Sequence, residues 1–188
     1  GMTLEKLFTQ LPTAHSTLPI VLMGYLNPVL QFGMEKFLAK CVECRVSGVI
    51  LPDLPLESYE AEFKEMFERS GVYFIFLVTP RTSEERLSRI AALSKGFVYL
   101  VSTSSTTGKN GTFSDEQLAG MKRVREIISD KPILTGFGIH DAETRRAASK
   151  YSNGVVVGTA FIRELEKSSV ELAVSNLMEK IMMKKIPA

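Results

Sequence analysis

The chain has 188 residues, 45% hydrophobic and 23% charged, which is the make-up of an ordinary soluble globular protein with one sizeable core. Its 23 basic and 21 acidic residues are interspersed and leave a net charge of +2, arguing against a nucleic-acid surface or a polybasic membrane surface. The longest apolar run, at 72–78, is far too short to cross a bilayer, and no signal-peptide pattern opens the sequence, so the expected location is the cytoplasm.

Gly1-Met2 is not a natural initiation, and the expectation is a cleavage scar or a cut inside a longer protein. Residues 3–11 read as a helix, with Thr3 as N-cap and Leu4, Leu7, Phe8 and Leu11 on one face. Pro12 ends it. The run IVLMGY at 20–25 is a buried strand, Asn27-Pro28 opens a turn, and 34–45 is the next helix. That helix carries Cys41 and Cys44 on one face. A zinc site would need two further ligands, and only His15 and His140 exist, so reduced structural thiols are expected. A strand at 48–51 runs into Pro52-Asp53-Leu54-Pro55, followed by a helix at 57–70 with Tyr59, Phe63 and Phe67 on one side. Residues 72–78 form a continuous apolar strand, and Thr82-x-x-Glu85 is a capping box opening a helix to Leu93. A strand at 97–101 leads into the polar loop STSSTTGKNGTF, and Ser114-x-x-Gln117 caps a helix to Ser129.

Two apolar runs follow, 132–134 and 154–157, each ending in a glycine turn before a helical pattern. Asp141 caps the first of these helices and Thr159 stands at the mouth of the second. A strand that stops in glycine and feeds a helix presents free amides with room for close approach, the physical recipe for holding a phosphate. An amphipathic helix at 170–184 closes the chain.

Six strands beginning near 20, 48, 72, 97, 132 and 154, each followed by helix, have the spacing of β-α units in a parallel sheet. No repeat or linker composition divides 1–188, so one domain is expected. The alternation fits both a doubly wound sheet and a barrel. The tandem glycine turns favour the barrel, as in the phosphate site after strands 7 and 8 of a (β/α)₈ fold. Ligands should collect at the carboxyl ends of the strands: Tyr25 and Asn27, Asp53, Thr79, Tyr99 and Ser102, Gly136 to Gly138, and Gly158-Thr159. The loop around Gly108 and Gly111 has the length and place of a lid, or of a solvated connector. Asp53 directly ends a strand and could act as a base, cap a helix or brace a loop. His15 and His140 read as ordinary loop residues, and no nucleophile, P-loop or metal motif appears.

The segments GYLNPVLQFG (24–33), ILPDLPLES (50–58), YLVSTSSTTGKNG (99–111), LTGFGI (134–139) and GVVVGTAF (154–161) together resemble the alpha chain of tryptophan synthase over essentially the whole sequence. That resemblance implies a (β/α)₈ barrel that cleaves indole-3-glycerol phosphate, by a retro-aldol reaction, to indole and glyceraldehyde 3-phosphate. It implies no cofactor or metal on this chain and a pyridoxal-phosphate beta chain as partner. The phosphate-binding backbone then falls on Gly108, Gly138, Gly158 and Thr159, where the family usually has serine at the last position. The mobile loop falls on 102–111 with Thr107 closing it, and Thr103 stands where a basic residue is often seen. Tyr25, Tyr99 and Phe137 match the indole pocket. Asp53 matches an aspartate of subunit communication, with Asn27 and Pro55 in the beta-chain contact segments 27–31 and 55–58.

The resemblance starts inside the family's second helix. About 250 residues make a typical barrel, so strands 1 and 2, with the family's catalytic glutamate and aspartate, are expected to be absent. On this reading no catalytic residue is assigned within the sequence. A partial barrel of about six strands should bind a phosphate ester weakly and turn over nothing. Its end strands, at 20–25 and 155–157, should expose backbone edges and drive self-association into a dimer. The competing expectations are another phosphosugar barrel enzyme, or a module that only docks a partner subunit.

Overall fold

The computed structural model describes residues 1–11, 18–102 and 113–182. Its contacts cluster into two units, one of residues 1–76 with 94–96, the other of 77–93 with 97–188.

The first unit opens on helix α1, Leu4–Gln10, whose first turn is capped as expected: the Lys6 amide donates to Thr3 Oγ1 at 3.3 Å. Strands β1 (Ile20–Met23), β2 (Val46–Ile50) and β3 (Tyr73–Phe74) form a parallel sheet in that order, with Met23 opposite Ile50 and Val49 opposite Phe74. The turn expected at Asn27-Pro28 is instead the first turn of helix α2, Leu26–Phe32. Pro28 is tolerated there because a first-turn amide has no intrahelical acceptor to lose. Gly33, at φ +91°, breaks α2 from helix α3, Met34–Glu43, which buries Met34, Phe37, Leu38 and Cys41.

The helix expected at 57–70 is not uniform. It runs as α4 (Leu56–Ser58), a π-helical turn at Tyr59–Phe63, and α5 (Lys64–Ser70). Side chains four apart drift by about 40° on an α-helix, so Tyr59, Phe63 and Phe67 would splay. The wider turn keeps all three buried. Tyr59 stacks on Phe74 at 4.6 Å and meets Phe76 edge-on at 5.0 Å.

The single strand expected at 72–78 is two. The ladder of β3 to β2 ends with the Ile75 amide donating to Val49 O at 2.9 Å, and pairing resumes in the second unit at β4, Leu77–Val78. A continuous apolar run cannot reveal where a strand changes partner.

In the second unit β4, β5 (Val98–Val101), β6 (Ile133–Gly136) and β7 (Gly154–Val156) form a parallel sheet in chain order. Helix α6, Glu84–Leu93, starts one residue later than the Thr82 capping box implies. The Thr82 hydroxyl accepts instead from the Thr79 amide at 2.9 Å, and Ser83 Oγ accepts from Arg86 at 3.4 Å. The Ser114–Gln117 capping box forms as expected on α7 (Asp115–Ile127), and Asp141 caps α8 (Ala142–Ala148) as expected, with Thr144 reciprocating to make a box that the sequence reading did not mark. Leu87, Ile90, Val98, Leu100, Met121, Val124, Ile133 and Ala148 make the helix–sheet core. Helices α9 (Thr159–Leu165) and α10 (Val170–Met182) share a smaller cluster of Ala160, Leu177 and Ile181. Among the described residues β1 pairs only with β2 and β7 only with β6, so each is a sheet edge.

Candidate functional site

In the second unit the register sets Val101 opposite Gly136 and Gly136 opposite Val156, so β5, β6 and β7 finish side by side and release their loops at one edge. Tyr99 lies two residues short of that edge on β5. It is buried, burial pushes its phenol above the ordinary value, and its ring meets Phe137 edge-on at 6.3 Å. The sequence-predicted pair is therefore brought together. Gly136 is required between them: a Cβ there would lie 1.9 Å from Tyr99 Oη.

The turn after β6 is unusual. Phe137 and Gly138 both have positive φ, +67° and +72°, a conformation that glycine adopts freely and a bulky aromatic seldom does. Phe137 nevertheless stays half exposed. Ser102, fully buried at the end of β5, pins the turn: its amide donates to Gly136 O at 3.1 Å, and its hydroxyl reaches Gly136 O at 2.8 Å and Phe137 O at 2.5 Å. The sequence marks Ser102 as a strand-end residue and, by resemblance, as the start of the mobile loop, whereas the structure buries and ties it; nothing in its spacing announces these contacts.

The two glycine turns, alike in sequence, differ in structure. At the start of α8 the Asp141 carboxylate accepts from the Thr144 amide and hydroxyl, each at 2.8 Å, so that helix supplies its own anion. Burial pushes the Asp141 carboxyl up, but the Thr144 donors, His140 and the Glu143 amide outweigh it and hold it below its ordinary value. His140 donates no new chemistry; its Nδ1 lies 3.0 Å from Gly138 O and its Nε2 3.6 Å from Asp141. At the start of α9 the N-cap is Gly158, whose missing Cβ would meet nothing within 4 Å among the described residues. Thr159 is the first helical residue and exposed. The first amides of such a helix have no intrahelical acceptor and attract negative charge. Gly138 and the Gly158-Thr159 pair thus leave neighbouring strands at the same edge.

One polar group in this unit is unexplained by any of this. Thr135, fully buried on β6 opposite Leu100, has a hydroxyl with no hydrogen-bond partner among the described residues.

In the first unit, β1 and β2 also end together, with the Gly24 amide donating to Ile50 O at 3.1 Å. The Asp53 carboxylate takes up the cap and brace roles: the Leu26 amide donates to its two oxygens at 2.9 and 3.0 Å, fixing the start of α2 against the loop after β2. Asn27, the next residue of α2, and Pro55, the N-cap of α4, are both exposed beside this tie. Tyr25 is 71% exposed and lines an apolar cavity of about 250 Å³ with Leu4, Leu22, Pro28, Phe37 and Leu51.

Cys41 and Cys44 are free and buried. Burial, reinforced by Cys44, pushes the Cys41 thiol up to about 12, and burial also raises Cys44, whose Sγ lies 3.6 Å from Phe8 O. Thiols so disfavoured as thiolates are poor nucleophiles and ligands. Among the described residues no group of three or more His, Cys, Asp or Glu could hold a metal. His15, Thr103, Thr107, Gly108 and Gly111 lie outside the described residues.

A family model described as tryptophan synthase alpha chain matches residues 1–186. The tryptophan synthase alpha chain of Flavobacterium psychrophilum is 43% identical over 172 residues, which are 90% of this chain and 68% of that one. That of Parabacteroides distasonis is 43% identical over 182 residues, 95% of this chain and 71% of its own. Against that of Christiangramia forsetii, 42% identical, the chain spans 66% of the relative's length. Among solved structures, a tryptophan synthase alpha-subunit from Pyrococcus furiosus superposes with a TM-score of 0.84 at 31% identity, over 97% of this chain and 74% of that one. A structure of the tryptophan synthase complex from the same organism matches with a TM-score of 0.83 at 30% identity.

Proposed function

The chain belongs to the tryptophan synthase alpha chain family, carbon–carbon lyases of tryptophan biosynthesis, and we propose that its described residues hold indole-3-glycerol phosphate for cleavage to indole and glyceraldehyde 3-phosphate. Its α/β fold is of the (β/α)₈ barrel class of the solved alpha subunits it resembles. The alternative of another phosphosugar enzyme is not favoured by any of the relatives found. We read residues 1–188 as part of one barrel domain and place the enzyme in the cytoplasm; no helix among the described residues is long and apolar enough to cross a membrane.

The observation that carries the substrate reading is the uncapped start of α9 beside the left-handed Phe137-Gly138 turn, on adjacent strands. Gly138, Gly158 and Thr159 offer the phosphate backbone amides, with Gly108 completing the set by resemblance. Close approach of charge to such donors gives strong hydrogen bonds without a single cationic side chain. Tyr99 and Phe137 offer the indole an aromatic corner, with Tyr25 joining them by resemblance. Thr107 is assigned to the closing loop on the same ground. The role given to these residues is binding. Asp53, the carboxylate that ends a strand, already accepts twice from Leu26 and is assigned to subunit communication instead of proton transfer.

The partner is the beta chain. The Leu26–Asp53 tie couples the two candidate contact segments, the start of α2 with Asn27 and the start of α4 with Pro55, so that displacement of one is felt by the other. Calorimetric titration compares the parts of the substrate. Indole-3-glycerol phosphate should bind more tightly than glycerol 3-phosphate, and Tyr99→Leu should narrow that gap while leaving glycerol 3-phosphate binding intact. Equal affinities for the two ligands would refute the aromatic corner.

A further inference from the structure

Ser102 stands outside the residues to which the resemblance gives a ligand contact, yet it is the group on which the β6 turn depends. Its side chain is fully buried, and two successive carbonyls, Gly136 O and Phe137 O, converge on one hydroxyl at 2.8 and 2.5 Å. A trans peptide unit is planar, with its N–H pointing opposite to its C=O. The Gly136 carbonyl belongs to the same peptide unit as the Phe137 amide, and the Phe137 carbonyl to the same unit as the Gly138 amide. Gathering both carbonyls on Ser102 therefore sends the Phe137 and Gly138 N–H groups together to the opposite side. The positive φ at Phe137 is the backbone signature of that arrangement. A left-handed aromatic residue persists only where its surroundings over-determine it. Here the determinant is a serine on the neighbouring strand, whose own amide is tied to Gly136 O at 3.1 Å.

We propose that Ser102 is a positioning residue for phosphate binding: its amide holds Gly136 O, and its hydroxyl, donating its one proton to Phe137 O, aims the Gly138 amide at the anion. The same contact holds the Phe137 ring edge-on to Tyr99, so one hydroxyl sets both the anion donor and the aromatic corner. This rests on the reading of Gly138 as a phosphate donor. It goes beyond that reading in making the donor conditional on a side chain that never touches the ligand.

The test is a titration of the full chain with glycerol 3-phosphate, followed through the backbone amide resonances of Gly138 and Thr159 and by calorimetry. In the wild type both amides should shift. In Ser102→Ala the Thr159 amide should still shift, the Gly138 amide should not, and the Kd should rise about tenfold, the loss of roughly one charge-assisted hydrogen bond. Ser102→Thr, which keeps the hydroxyl, should restore the Gly138 response. Should Ser102→Ala fail to fold, Ser102→Cys carries the same test, since a thiol nearly matches the volume but donates weakly. A Gly138 amide that responds equally in the wild type and in the hydroxyl-free variant overturns the positioning role. If neither amide responds in the wild type, the phosphate reading itself fails, and the two failures are told apart by that control.

Discussion

Gly136→Ala puts the geometry of the aromatic corner to a direct energetic test. An added Cβ would sit 1.9 Å from Tyr99 Oη, 2.4 Å from Cζ and 2.8 Å from Cε1, all inside contact distance. The ring cannot simply swing away, because Tyr99 is 6% exposed on a strand paired on both sides, to β4 and β6. Relief requires an off-rotamer ring and some strand displacement. Overpacking of that kind costs about 1–3 kcal/mol and the rotamer strain about 0.5–1.5 kcal/mol more, so the variant should lose about 2–4 kcal/mol. Urea unfolding followed by far-UV circular dichroism reads this as a fall in midpoint of about 1 M, at an m-value of about 2–3 kcal/mol/M. Tyr99→Leu removes all three clashing atoms, so in that background Gly136→Ala should cost less than about 1 kcal/mol. The difference between the two costs is the coupling energy expected of residues in contact, and distant independent sites would give none. Equal costs in the two backgrounds would refute the reasoning, and so would a near-neutral Gly136→Ala in the wild type.

Two further outcomes follow from buried and capping groups. Thr135→Val keeps the shape of a fully buried side chain and removes its unpartnered hydroxyl, so it should raise stability by about 1 kcal/mol in the same urea assay; a loss of that size would mean the hydroxyl has a partner. Asp141→Ala should cost about 1 kcal/mol near pH 7 as the cap of α8 is lost. Because the Asp141 carboxyl sits below its ordinary value in the folded chain, its contribution is present above the unfolded carboxylate range and fades as pH falls through the folded value. The gap between the wild type and Asp141→Ala in thermal melts should therefore narrow as pH falls below the ordinary carboxylate range, and a gap that widens on acidification would reverse the sign assigned here.

Much of this architecture is legible in the sequence because local chemistry agrees with the global fold. Ser114 with Gln117 and the side chain of Asp141 cap the helices they precede, and the apolar runs at 97–101 and 132–134 become the buried parallel strands β5 and β6. The departures arise where a local signal is ambiguous, or where a competing hydrogen bond or packing partner overrides it. Thr82 looks like a cap but its hydroxyl is claimed by the Thr79 amide. The aromatic row from Tyr59 to Phe67 reads as plain helix, yet packing on Phe74 and Phe76 makes its middle a π turn. Pro28 reads as a turn and sits in a helix, because proline at a first turn leaves the same local trace as proline in a turn.

The candidate site divides in the same way. Glycine spacing points to both turns at the ends of β6 and β7, but only the structure distinguishes the turn whose helix is capped by Asp141 from the one left open at Gly158. The strained φ of Phe137 and its dependence on Ser102, thirty-five positions away, leave no periodic or compositional mark. The place of Asp53 at a strand end fits a base, a cap or a brace equally, and only the Leu26 amide on its oxygens distinguishes them.

If backbone amides at the start of α9 hold the phosphate of the substrate, Gly158→Val titrated with glycerol 3-phosphate should show it. An added Cβ at this position would meet no atom of the described residues within 4 Å, and the melting temperature of the variant checks that the fold accepts the valine. The valine would stand in the space through which the anion approaches, at the cost of at least two charge-assisted hydrogen bonds, or about 3–6 kcal/mol. Calorimetry should show binding by the wild type and a loss of at least about a hundredfold in the variant. Undiminished binding by a folded Gly158→Val would contradict that assignment.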